Sequence, residues 1–244
     1  MFNSFFFLAG LLIGSFINVI CYRLPKGQDI IRDRSKCPKC NEVIPLYLNL
    51  PVFSYLTLRG KSKCCKSKVS IQYPIIELLL GIIFLVHSFI MIEIEHTIIS
   101  CFISTILISI IIIDYFHKII FDFMSYILIL FGLIFSLLPF NLNPYGVSFT
   151  ESLITVVISM SLFWLLRYIF LKIKKIEALG KGDIYLIGGL SAWIGFVDFV
   201  YLLSISSIIG ILLFLVQKNK ENYEIPFGSA LGIGFFLITY LRLI

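Results

Sequence analysis

Leu107-Ile-Ser-Ile-Ile-Ile-Ile-Asp114 is an almost unbroken apolar run that ends on a carboxylate. Seven residues without a charge can sit in hydrocarbon; an aspartate closing them is costly there unless it has a task. Working outward, comparable runs occupy about 3–21, 74–92, 97–113, 123–138, 152–171, 184–197, 199–216 and 227–241, most of them near the ~20 residues that cross ~30 Å of bilayer core. The 244 residues are 59% hydrophobic and 14% charged, with a mean hydropathy of +1.00. Soluble domains carry about 25% charged residues, so composition excludes a disordered chain, a coiled coil and an ordinary water-soluble enzyme. The reading is an all-α polytopic membrane protein with about eight transmembrane helices. It divides into a first span (1–21), a small extramembrane domain (22–72) and a membrane-embedded region (73–244). Gly195 and Asp198 read as a turn, making 184–197 and 199–216 a hairpin of short helices.

Charge orients the chain. With the N-terminus outside, the segments 22–72, 114–122, 167–183 and 217–226 face the cytoplasm, and they hold 19 of the 20 Lys and Arg residues, leaving Arg242 outside. The opposite segments carry Glu93, Glu95, Glu151 and Asp198. The net charge of +6 therefore reflects topology and not a nucleic-acid partner; the lipid bilayer is the expected one. Residues 1–21 lack a basic leading region, and Arg23, Lys26, Arg32, Arg34, Lys36 and Lys39 stop the span behind them, so they read as a retained helix and not a signal peptide.

A domain of about 50 residues needs a staple. Cys37-Pro-Lys-Cys40 and Cys64-Cys65 supply one. On the reducing side of a membrane thiols stay free, which favours a zinc knuckle over a disulfide. Ser62 stands where the first cysteine of a second Cys-x-x-Cys would fall, so a site that no longer binds metal stays open. Cys21 and Cys101, in apolar helices, read as packing residues.

Asp114, Asp122 and Asp183 border apolar runs. In one continuous helix, Asp114 and Asp122 would stand about 2.2 turns apart. Asp183 closes Gly180-Lys-Gly-Asp183, at the start of the next run. Asp114 and Asp183 share the cytoplasmic boundary, where two carboxylates in one low-dielectric site would hold a single proton between them. Asp183 begins a helix and Asp114 ends one, which on the helix dipole makes Asp183 the base and Asp114 the acid of an aspartyl peptidase. A helix cap at Asp183 and solvated loop positions for Asp114 and Asp122 are the competing readings.

Taken together, Gly14-Ser-Phe-Ile-Asn-Val-Ile-Cys-Tyr-Arg-Leu-Pro25, Cys-Pro-Lys-Cys40, Asn49-Leu-Pro-Val-Phe-Ser-Tyr55, Leu58-Arg-Gly-Lys61, Ser70-Ile-Gln-Tyr-Pro-Ile-Ile-Glu77, Ile113-Asp114 with Asp122, Gly180-Lys-Gly-Asp183 and Pro226-Phe-Gly228 follow one another in an order that resembles the bacterial type IV prepilin peptidases. These are leader peptidase/N-methyltransferases, aspartyl peptidases of the Gly-x-Gly-Asp kind. The resemblance implies catalytic Asp114 and Asp183, with Asp122, Gly180, Gly182, Glu77 and Asn49 in supporting positions and zinc on Cys37, Cys40, Cys64 and Cys65. It also implies removal of the basic leader of type IV prepilin or pseudopilin precursors, after a glycine at the cytoplasmic face of the bacterial inner membrane. S-adenosylmethionine-dependent methylation of the new N-terminal residue would follow. The chain departs from the family's pattern at Leu48 (usually acidic), Ser62 (cysteine), Phe121 (proline), Tyr185 (commonly lysine) and Ser229 (proline). Two alternatives remain open: a Gly-x-Gly-Asp protease without methyltransferase activity, and a non-enzymatic transporter using Asp114 and Asp183.

Overall fold

The computed structural model describes residues 2–30, 34–37, 39–138, 142–175, 177, 179–216 and 225–243. Pro38, Arg32, Lys218 and Lys220, used in the sequence reading, lie outside the described residues. Helices run α1 (Phe2–Arg23), α2 (Phe53–Thr57), α3 (Gln72–Ile90), α4 (Ile94–His117), α5 (Asp122–Leu137), α6 (Phe149–Lys174), α7 (Lys181–Val216) and α8 (Phe227–Leu243). Among the described residues, strand pairing is confined to the isolated bridges Lys36–Val43 and Lys61–Lys68. Five helices (α1, α3, α4, α6 and α7) are long and apolar enough to cross a bilayer, and α5 and α8 are shorter apolar helices. The chain is a multi-pass, all-α membrane protein. It forms two compact units, Met1–Thr105 and Ile106–Ile244.

In the first unit α1 and α3 run antiparallel. An added Cβ at Gly10 would meet Leu80 O at 2.6 Å, one at Gly14 would meet Glu77 Cα at 2.7 Å, and the Asn18 side-chain amide donates to Tyr73 O. Small residues at four-residue spacing let the two backbones touch, which is how helices associate where lipid is as apolar as their side chains.

The second unit is organised around α7. Thirty-six helical residues would span ~54 Å, far more than the ~30 Å hydrocarbon core, so a straight α7 does not fit one bilayer. It is broken at Gly195, whose φ of 70° and ψ of 176° are open only to glycine. The contacts show that the chain reverses there. Ahead of the break, Ala192 and Trp193 meet Gly132 of α5, and Gly195 meets Glu151 at the start of α6. Beyond it, Asp198 pairs with Arg242, Ser206 with Gly234 and Gly210 with Ala230, a register in which α8 steps backward as α7 steps forward. The hairpin read from Gly195 and Asp198 is present, with Gly195 as its hinge. Its first leg is buried on nearly every face from Ile184 to Gly195, and its polar groups are satisfied within the protein: Ser152 donates to Ala192 O, Trp193 Nε1 to Leu128 O and Asn143 to Trp193 O. Unsatisfied groups at this depth would be expensive.

A Cβ at Gly195 would fall on the Glu151 carboxylate, so side chain and backbone strain act together. Gly195→Ala should destabilise the protein in detergent by roughly 1–3 kcal/mol for the backbone alone. Removing the carboxylate with Glu151→Ala should recover the steric part and leave the conformational part, read as two unequal shifts in thermal unfolding.

Candidate active site

Asp114 lies in the last turn of α4, 5% exposed. The helix stops just beyond it, where the Lys118 N–H donates to Asp114 O and Lys118 adopts a left-handed φ of 57°. Asp122 is therefore not a continuation of that helix: it is the first residue of α5, exposed to solvent. Between them Ile120 projects into the site.

Two other helix starts close on Ile120. A Cβ at Gly182 would come within 2.9 Å of Ile120 Cβ, and one at Gly228 within 2.5 Å of Ile120 Cδ1 and 3.2 Å of Asp114 Cγ. Glycine at both positions lets the first turns of α7 and α8 seat on the α4–α5 connection. Asp183, in the first turn of α7, is thereby brought within electrostatic range of Asp114. The Gly180 backbone N–H donates to Asp183, a carboxylate reaching back to cap its own helix. Capping and pairing are thus properties of one geometry, and the cap reading of Asp183 does not compete with a site.

Two residues beyond the candidate set hold the carboxylates in place. Ser229, at the start of α8, donates its N–H (2.6 Å) and its hydroxyl (2.8 Å) to Asp114 Oδ2. Arg167, buried near the end of α6, donates to Leu179 O and forms an ion pair with Glu177, tying down the turn that leads into Gly180–Asp183. In the sequence Arg167 stands out only as a loop cation. Ser229 stands out there only as a departure from proline, although a proline would lack the donated N–H and hydroxyl alike. With Ser229 in place, Asp114 faces the N-terminus of α8 and Asp183 sits at that of α7. The opposite-dipole argument for base and acid therefore fails, because each carboxylate meets a helix N-terminus.

The cysteines, Asn49 and Glu77 belong to the first unit. Sγ atoms of Cys37, Cys40, Cys64 and Cys65 all lie within 4.8 Å of one another, with Cys37–Cys65 at 3.7 Å and Cys40–Cys64 at 3.1 Å. Tetrahedral zinc with bonds of ~2.3 Å needs sulfurs ~3.8 Å apart, so the set fits. Two turns of the same form present them. In one, Cys37 N–H donates to Glu42 O and Asn41 N–H to Cys37 O; in the other, Ser62 N–H donates to Ser67 O and Lys66 N–H to Ser62 O. Asn41 and Lys66 share a left-handed φ of 57° and 56°. Ser62 thus occupies the place of Cys37, and Cys64, two positions on, brings the fourth sulfur. The Ser62 hydroxyl, then the Ser67 hydroxyl and N–H, lower the Cys65 thiol to about 5 and favour the thiolate that a metal requires. At Cys40 the Glu42 N–H pulls down, but the sulfurs of Cys64, Cys37 and Cys65 together with lost hydration outweigh it, and the thiol is pushed up to about 12.

Fold and site define a class: a polytopic helical membrane protein in which two helix starts close on the end of a third helix and bring Asp183 within electrostatic range of Asp114. Comparison with known proteins is specific. Residues 8–91 match the Bacterial Peptidase A24 N-terminal domain and residues 101–215 the Type IV leader peptidase family. A prepilin leader peptidase/N-methyltransferase of Neisseria gonorrhoeae is 32% identical, covering 94% of this chain and 87% of its own. One of Myxococcus xanthus is 31% identical (94% and 70%), and a type 4 prepilin-like proteins leader peptide-processing enzyme of Escherichia coli is 28% identical (96% and 92%). No solved structure matches. The chain belongs to the type IV leader peptidase family.

Ser229 gives the first test of the site. A hydrogen bond to a charged group contributes about 1.5–3 kcal/mol, so Ser229→Ala should slow peptide cleavage by about 10–100-fold while Ser229→Thr retains most of the rate. Initial rates on a fixed peptide substrate measure the difference.

Proposed function

We propose that this chain is the membrane peptidase that removes the basic leader of type IV prepilin-like precursors, and that it then methylates the new N-terminus. The observation that carries the reading is the convergence of Asp114 and Asp183, from α4 and α7, on the glycine-packed Ile120. A carboxylate pair at one depth can deprotonate an attacking water and protonate the departing amine in the same cycle. Asp114, whose Oδ2 already accepts two hydrogen bonds, is assigned as the base, and Asp183, capping its own helix, as the acid. This inverts the assignment expected from helix ends.

The distribution of Lys and Arg supports placing the aspartates at the cytoplasmic face of the inner membrane, and with them the leader. Segments 22–72 and 167–183 are themselves basic, so long-range attraction of a basic leader is unfavourable; affinity then comes from seating the precursor's apolar stretch among the spans. A sulfonium methyl donor, S-adenosylmethionine, would supply an electrophilic methyl group for the second reaction. Zinc on Cys37, Cys40, Cys64 and Cys65 would staple the 22–72 segment.

Co-expression with a candidate precursor, followed by mass spectrometry of the product, tests the reading. Wild-type chain should yield a leaderless product heavier by one methyl group. Asp114→Asn and Asp183→Asn should each reduce cleavage by about 10³-fold or more, with the protein still inserted. Normal trimming by either variant would refute the assignment.

For the metal, purified protein should hold about one zinc per chain. Cys37→Ser or a strong chelator should remove it and impair methylation more than cleavage. Equal loss of both reactions in a well-folded variant would contradict that division.

A further inference from the structure

The basic segment 167–183 repels a basic leader at a distance, so any preference for the leader's charge must come from an anion in contact with it. At the end of the second unit where Asp114 and Asp183 lie, the described acidic residues are these two, Asp122 and Glu177. Glu151 and Asp198 belong to the far end, beside the reversal at Gly195. Glu177 is taken by Arg167. Asp122 is exposed at the start of α5, and among the described residues no Lys, Arg or His pairs with it. Lys118, four residues before it, turns back to the Tyr115 carbonyl.

Aromatic rings stand beside this carboxylate. Gly182 of α7 seats on Ile120, two residues before Asp122. Tyr185, three residues on and along the same face of α7, meets Tyr126, which shares a face of α5 with Asp122. The two tyrosine ring centroids are 5.0 Å apart at an angle of 61°, and Trp164 of α6 adds a third ring 6.2 Å from Tyr185. Tyr126 is 48% exposed and lies within electrostatic range of Asp122.

We propose that Asp122, Tyr126 and Tyr185 form a specificity site that receives one lysine or arginine side chain of the precursor's leader. The inference rests on the proposed leader cleavage and names the contact through which the leader's charge is read. A long basic side chain lays its apolar stem along aromatic rings and its charged head against a carboxylate, which is what these three residues offer together. Asp122, in the first turn of α5, is held in its charged form by the helix N-terminus. Tyr185 follows Asp183 by two residues in the first turns of α7, so a leader held here is anchored beside the peptidase centre. Arg167 lies over Trp164 at 5.8 Å, but its charge is already met by Glu177 and leaves Asp122 to the substrate.

The test uses the full chain in detergent and a precursor series in which each leader Lys or Arg is replaced singly by Gln or by Glu. An exposed ion pair is worth about 1.5–5-fold and a cation over a ring about 2–5-fold more. One Gln replacement should therefore lower kcat/KM by about 3–30-fold, chiefly through KM. Asp122→Asn, which keeps a good residue at the helix start, should shrink that penalty by about 2–5-fold. Asp122→Lys should reverse the preference, so that Glu at that leader position is cleaved faster than Lys. Tyr185→Lys, which brings a competing cation to Asp122, should flatten the preference, whereas Tyr185→Phe should keep it. A merely structural role for Asp122 would slow every substrate by the same factor and leave these ratios unmoved. Equal ratios in wild type and Asp122→Asn, with no reversal in Asp122→Lys, would overturn the site while leaving leader cleavage standing. Wild-type protein that cleaves none of the series would overturn the proposed function, and the site with it.

Discussion

Ser229 donates its backbone N–H and its hydroxyl to one oxygen of Asp114, and the candidate active site depends on that pair of bonds. Asp114 is nearly buried at the end of an apolar helix. Such a group persists there only if donors replace the water it has lost. The donors come from the start of α8, which must therefore approach the end of α4 closely. Gly228 permits the approach, Ile120 fills the remaining space, and Gly182 lets α7 close on the same isoleucine with Asp183 in its first turn. Satisfying one carboxylate thus draws in the second.

The same logic governs the far end of the second unit. Gly195 reverses α7 against Glu151, and the second leg returns along α8 in a register closed by the Asp198–Arg242 ion pair. Reversal at one end brings the start of α7 and the start of α8 to the other, where the aspartates are. Arg242, the one basic residue assigned to the outer side, has its counter-ion in the same hairpin.

Much of this was legible in the sequence, because it is written in local signals. Apolar runs gave the helices, Gly195 with Asp198 gave the hairpin, and Gly180-Lys-Gly-Asp183 beside the run ending at Asp114 gave the pair. The cysteine spacing gave the sulfur cluster, although not that Ser62 keeps the turn of a lost ligand while Cys64 takes over its sulfur. What was missed depends on contacts between distant positions. Ser229 lies 115 residues from Asp114, Arg167 is 12 from Leu179, and Glu77 is 25 from Val52, whose N–H its carboxylate accepts. No periodicity reports such partners. Ser229 did leave a trace, as a residue with an N–H and a hydroxyl where the family's pattern has neither. The loop expected over 114–122 is short: the left-handed turn at Lys118 ends α4, and Asp122 opens α5, exposed to solvent.

The central claim is that Asp114 and Asp183 stand face to face. All six native cysteines lie between residues 21 and 101, so a cysteine-free background leaves the second unit's sequence unchanged. Introducing Asp114→Cys with Asp183→Cys into it and treating membranes with a short thiol-to-thiol reagent measures their proximity directly. The account predicts efficient cross-linking, detected after cutting the chain between the two positions as fragments that stay joined, and none when Asp114→Cys is combined with a cysteine at Asp198. Fragments that separate completely with every short reagent, in protein that is inserted and folded, would contradict it.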